Sequence, residues 1–183
     1  MTPLIDGDLI CYEVGFSSQK KEVNPETGEE EVVPASWDFV QDLVDKRVAL
    51  ICDEVRATTP PKIYLTNTHY VNKLLNKRRK FTEEKEVVYV DNFRNEVAKE
   101  KAYKAGRKRE KPFHFKNIVN YLLSHYNAIV NENGLEADDQ ICIEQYSAYK
   151  NGELNTIICS RDKDLRQCPG WTFAWEMGNQ ASI

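Results

Sequence analysis

The chain has 183 residues and a formal net charge of −4, with 41% apolar and 30% charged residues. This is an ordinary globular composition that excludes a disordered polymer and leaves room for the core of one α/β domain. No run of about 18 apolar residues occurs, which argues against a membrane span, and the opening MTPLIDGDLICYEV lacks the basic region of a signal peptide, so a cytoplasmic location is expected.

In chain order, Pro3 to Asp6 reads as a short buried strand. Gln19 to Pro34 holds the turn signal NPETGEE between two Val-containing runs, the pattern of an exposed hairpin or loop inserted after a first helix. Trp37, Val40, Val44, Val48, Ile51 and Val55 recur at helical spacing behind Ser36, a candidate N-cap. KIYL (Lys62 to Leu65) is a second strand. Asn67 to Asp91, rich in Lys, Arg and Glu, lacks a steady period until VVYV and reads as an excursion from the core. Phe115, Ile118, Val119, Leu122 and Tyr126 form another helical stripe, AIV (Ala128 to Val130) a strand, Glu136 to Lys150 a helix with an acidic first turn, and TIIC (Thr156 to Cys159) a further strand. Short apolar strands alternating with amphipathic helices imply a mainly parallel sheet covered on both faces.

Cys11, Cys52, Cys142, Cys159 and Cys168 show no C-x-x-C spacing and are expected to be reduced, mostly buried thiols rather than a disulfide framework or zinc site. His69, His114 and His125 form no cluster and are expected at surface or packing positions. Charge is unevenly spread. Lys73 to Lys111 carries 14 Lys and Arg against 7 Asp and Glu, while the rest of the chain carries 11 against 22. That asymmetry suggests a cationic element mounted on an acidic body, although a solvated helical surface gives the same counts.

Three acidic clusters stand apart: Asp6 with Asp8, Glu136 with Asp138 and Asp139, and Asp162 with Asp164. Two follow predicted strands and the third opens a predicted helix, positions that share one edge of an open parallel sheet. Taken singly, each has a plain use as a helix cap, a complement to a helix dipole, or a turn. Crowded together, carboxylates repel unless cations neutralise them. Mg²⁺ or Mn²⁺, hard ions that prefer oxygen ligands, fit that need. Two such ions roughly 4 Å apart can activate water and stabilise a leaving oxygen.

Four strings then carry a resemblance: LIDGD at 4–8, YKAGRKREKP at 103–112, LEADD at 135–139 and ICSRDKDLRQCPGW at 158–171. In this order, over about residues 3 to 179, the chain resembles the phage and bacterial 5′–3′ exonucleases. These form the flap-endonuclease-like 5′-nuclease branch of the PIN-like superfamily. The resemblance implies a three-layer PIN-like α/β fold with a central mainly parallel sheet flanked by helices, and a basic helical arch. Residues 1–183 would form a single N-terminal catalytic domain, with the arch or insertion at about 67–112. It implies Asp6, Glu136, Asp138, Asp139, Asp162 and Asp164 as metal-binding acids, with Asp8 a further candidate at a position that varies in the family. Lys104 and Arg107 match the basic pair of the arch and are implied to act on the scissile phosphate, a role suited to cations one turn apart. Tyr103, Arg94, Lys108, Arg109 and Lys111 are implied on the substrate side, Tyr103 also being suited to packing the arch.

Two departures accompany the match. The family places an acid or glycine after the second core strand, where this chain offers either Asn67 or Asp91. The family also continues into a helix–three-turn–helix element that grips duplex DNA and supplies further acids. That element is absent from these 183 residues, so a second metal ion is expected to bind weakly. The implied function is Mg²⁺-dependent hydrolysis of DNA phosphodiesters at 5′ ends or flaps, in phage replication or recombination within the host cytoplasm. Two alternatives stay open. One is a PIN-type ribonuclease acting on RNA; the other is a nucleic-acid-binding subunit that depends on a second polypeptide for the missing element.

Overall fold

The computed structural model describes residues 1–97 and 110–183. At its centre is β1 (Thr2–Asp6), flanked by β4 (Lys62–Leu65) and β6 (Thr156–Cys159), with β5 (Ile129–Val130) outside β4 and β7 (Trp171–Phe173) outside β6. Every neighbouring pair in this five-stranded sheet is parallel. Ile5 lies opposite Ile63 on one side and Cys159 on the other.

The inner strands β1, β4 and β6 bury nearly all their residues because both faces of the sheet are covered there. Side chains alternate between two cores. Ile5, Ile63, Leu65, Ile157 and Cys159 join the larger one, with Ile10, Val14, Val44, Ile51, Ile118 and Leu122 from the helices α1 (Gly7–Ser17), α2 (Trp37–Glu54) and α5 (Phe115–His125). Leu4, Tyr64 and Ile158 point the other way and meet Ile141 of α6 (Ala137–Lys150), with Leu165 and Cys168. The result is helices, sheet and helix in three layers. Among the described residues no helix is long and apolar enough to cross a membrane.

The expected hairpin is present: β2 (Gln19–Val23) and β3 (Glu30–Pro34) pair antiparallel. Its turn closes through Asn24 N to Glu29 O at 2.8 Å, with Gly28 at φ +73. Ser36 caps α2, its side chain accepting from Phe39 N at 3.4 Å. All five cysteines are free thiols, three of them buried.

The stretch after β4 corrects the sequence reading. Residues His69–Thr82 form a 14-residue helix, α3, capped by the Thr68 side chain and ended by Glu83 in the left-handed conformation at φ +58. A narrow stripe of Val71, Leu74 and Leu75 fastens it to the larger core, so its first part is not an excursion. The basic residues Lys73, Lys77, Arg78, Arg79 and Lys80 surround that stripe and hide its period. An irregular segment and the short α4 (Phe93–Val97) follow. Tyr103, Lys104, Arg107, Lys108 and Arg109 lie outside the described residues.

Gly7 joins β1 to α1 where the helix crosses the neighbouring strand. A Cβ there would stand 2.7 Å from Tyr64 O and 2.8 Å from Ile63 Cγ2, so backbone and core must shift to admit one. Gly7→Ala is expected to destabilise the fold by about 1–3 kcal/mol, the usual cost of overpacking. Urea denaturation would show this as a lower midpoint at unchanged slope; a wild-type midpoint would contradict it.

An acidic cleft at the carboxyl edge of the sheet

Because the strands run parallel, the ends of β1, β4 and β6 open on the same edge. Asp6 terminates β1, Thr66 follows β4 and Ser160 follows β6. With the start of α6 they border a cleft of about 660 Å³, into which Asp6, Asp8, Glu136, Asp138 and Asp162 all face. Carboxylates up to 156 positions apart in the chain therefore share one cavity, drawn from all three sequence clusters.

Each of these carboxylates also does local structural work. Asp6 caps α1, Oδ1 accepting from Leu9 N at 3.1 Å, while its Oδ2 accepts from Ser160 Oγ at 2.9 Å. Asp8 accepts from Thr66 N through both oxygens, at 3.3 and 3.2 Å. Asp138 Oδ1 accepts from Asp139 N at 2.8 Å, and Asp162 Oδ1 from Asp164 N at 3.0 Å. Glu136 is the N-cap residue of α6, and Asp139 accepts from its backbone N–H at 3.2 Å, one arm of a capping box.

These hydrogen bonds only partly offset the electrostatic cost. Burial and the neighbouring Asp8 charge push Asp6 up to about 7 from an ordinary 3.8. Burial also raises Asp8, against the bonds from Thr66, and it raises Asp138 together with the Asp139 charge. Three carboxyl groups in one cleft thus hold their protons more tightly than usual, as anions do when burial removes them from water. A hard divalent cation meets that donor chemistry. Among the described residues no three carboxylate, imidazole or thiol groups converge on a point at ligating distance.

The remaining expected residues divide. Asp139 and Asp164 do not line the cleft: Asp139 faces Arg94, and the exposed Asp164 opens a 3-10 turn (Asp164–Gln167). Lys111 does line it, its Nζ 4.7 Å from the Phe115 ring centre. Arg94, expected on the substrate side, is turned to the protein's own acids. Its guanidinium stands 2.6 Å from Glu136, 2.7 Å from Asp139 and 4.0 Å from Asp138. Neither Asn67 nor Asp91 lines the cleft. Asn67 is buried with both amide atoms lacking hydrogen-bond partners among the described residues, and Asp91 is exposed and bonded to Asn92 N and Asn95.

Thr66, Thr68, Tyr12, Arg161, Met177 and Gln180 also line the cleft and were not singled out by sequence. Thr66 is the clasp: its N–H serves Asp8 and its Oγ1 accepts from Ala137 N at 2.9 Å, tying β4 to α1 and α6. Its place directly after KIYL was the available signal. Arg161 faces the acids yet spends its donors on the C-terminal segment, at Trp175 O and at Gln180 Oε1, the latter 2.7 Å away. That fastening brings Met177 and Gln180 to the cleft wall.

Neither a known protein family nor a curated protein matches the chain.

Removing the Arg94 charge leaves Glu136, Asp138 and Asp139 facing one another. Arg94→Gln is expected to destabilise the metal-free protein by about 1–3 kcal/mol, the scale for removing one partner of a partly buried hydrogen-bonded group. An unchanged urea midpoint in EDTA would show that the guanidinium contributes no net neutralisation.

Proposed function

We propose that the chain is a metal-dependent nuclease of the 5′-nuclease type, with a PIN-like fold, hydrolysing phosphodiester bonds of DNA at 5′ ends or flaps. The observation that carries this reading is the gathering of Asp6, Asp8, Glu136, Asp138 and Asp162 in one cleft at the carboxyl edge of a parallel sheet. The four ordered sequence strings support it, since three of them supply those acids.

Asp6, Glu136, Asp138 and Asp162, with Asp8, are the residues that would hold Mg²⁺ or Mn²⁺. Bound there, such an ion would supply an activated water and neutralise charge developing on the phosphate. The protein's part is positional. Asp6 is held by the α1 cap and Ser160, and Asp8 by Thr66, so these two carboxylates are oriented before any ligand arrives. Asp139 acts behind them, engaging Arg94 and the α6 N-terminus. Lys111 brings a cation to the same cleft and is suited to a non-bridging phosphate oxygen. Lys104 and Arg107 are assigned by the resemblance to the scissile phosphate, with Tyr103, Lys108 and Arg109 along the strand. The segment carrying them joins α4 to residue 110, one residue before Lys111.

A 5′-labelled duplex or flap incubated with the purified chain is expected to be cut with Mg²⁺ and to stay intact in EDTA. Asp138→Asn and Asp162→Asn should each lower the rate by about 10²-fold or more, the scale seen when one electrostatic stabiliser is lost from an active site. Lys104→Ala should lower it without abolishing metal binding. Full activity in both aspartate variants would sink the assignment.

A further inference from the structure

A second cleft, of about 760 Å³, lies beside α3 and has the opposite electrostatic character. Lys73, Lys77 and Lys80 face it from α3, and Lys116 faces it from α5. Only Lys80 has a carboxylate partner among the described residues, Glu86 at 2.9 Å. Lys73 and Lys77 are four residues apart, so they project from successive turns of one helical face, roughly 6 Å apart along the axis. That separation is comparable to the step between successive phosphates of an extended strand.

The cleft also has flat aromatic surfaces. The His69 ring stacks on Tyr89 with centres 3.8 Å apart, and Lys116 Nζ lies 5.4 Å from the centre of the Tyr70 ring. The opposite wall is held in place by two asparagines. Asn76 clamps Val87 through both its backbone groups at 2.8 Å, and Asn72 Nδ2 donates to Val87 O at 3.3 Å. Asn72, 8% exposed, keeps an Oδ1 without a hydrogen-bond partner among the described residues.

The two clefts adjoin. Thr68 lines the acidic one and His69 the basic one; Phe115 lines the acidic one and Lys116 the basic one. We infer that the basic cleft is a binding track for a single nucleic-acid strand continuing from the acidic cleft, its phosphates on Lys73, Lys77 and Lys116 and its bases against His69 and Tyr70. Spaced cations combined with ring faces are the chemistry of sequence-tolerant single-strand binding. The identity of the strand as the one being cut rests on the nuclease reading above; the track itself rests on the cleft.

Fluorescence anisotropy with labelled oligothymidylate tests it in EDTA, where no cleavage occurs, across a salt series. The wild-type chain should bind with a steep salt dependence. In the combined variant Lys73→Gln, Lys77→Gln, Lys116→Gln, affinity should fall about tenfold or more. The slope of log affinity against log salt should flatten by about 2, three phosphate contacts each contributing about 0.7 on a single strand. The three side chains are surface lysines, and a wild-type urea midpoint checks that the variant is folded. Lys150→Gln, at an exposed lysine in the last turn of α6, should keep the wild-type slope. Unchanged affinity and slope in the lysine variant would overturn the track. So would equal displacement of the oligonucleotide by polyglutamate, which would mark the cleft as a general polyanion or acidic-protein surface. A flattened slope in a chain that cuts nothing with Mg²⁺ would refute the nuclease reading and uphold the track. Cleavage with an unchanged slope would do the reverse.

Discussion

The structure depends on one unfavourable juxtaposition: several carboxylates held in a partly desolvated cleft. Their mutual repulsion is not accidental to the fold. Asp6 and Asp8 stand where they do because β1 is the central strand and α1 begins at its last residue. Glu136 and Asp138 stand there because α6 begins against Thr66 at the end of β4. Parallel pairing brings these ends to one edge, and the edge collects the charge. Backbone N–H groups, Ser160 and Arg94 offset part of the cost, and the raised proton affinity of Asp6, Asp8 and Asp138 measures what remains. Natural proteins keep such strain where it serves a purpose, and binding a divalent cation relieves it directly.

Much of this was legible in the sequence, for identifiable reasons. β1, β4 and β6 are doubly buried and read as unbroken apolar runs; α2 carries a long stripe behind a serine cap; the hairpin announces itself by NPETGEE. The acids were legible because they sit immediately at strand and helix ends. What escaped depended on partners distant in sequence. Arg94 could be named as a cation, but its engagement with Glu136 spans 42 residues, and nothing local distinguishes it from an arginine facing a substrate. Arg161 and Gln180 enter the cleft wall only through the folding back of the C-terminal segment. Helix α3 escaped for a different reason. Its apolar stripe is short, and the lysines and arginines around it drown the periodicity.

The same basic helix changes how the charge asymmetry is understood. Among the described residues, the Lys and Arg that follow residue 73 do not form a uniformly solvated surface. Arg78 donates to Leu123 O, Arg79 pairs with Glu132, and Arg94 serves the acidic cleft, so three of these cations hold elements together. Lys73 and Lys77 have no such use among the described residues and line a cleft that borders the acidic one. Positive and negative cavities side by side suit a polyanion that is gripped along its backbone and met by cations at one phosphate.

The central claim is that the acidic cleft takes up a divalent cation in its own right. Titration of Mn²⁺ into the metal-free chain, with free Mn²⁺ followed by electron paramagnetic resonance, tests it without recourse to any substrate. The account predicts saturable binding of at least one ion to the wild-type chain, and its loss in the combined variant Asp6→Asn, Asp138→Asn. Equal Mn²⁺ uptake by the wild-type chain and that variant, or none by either, would contradict it.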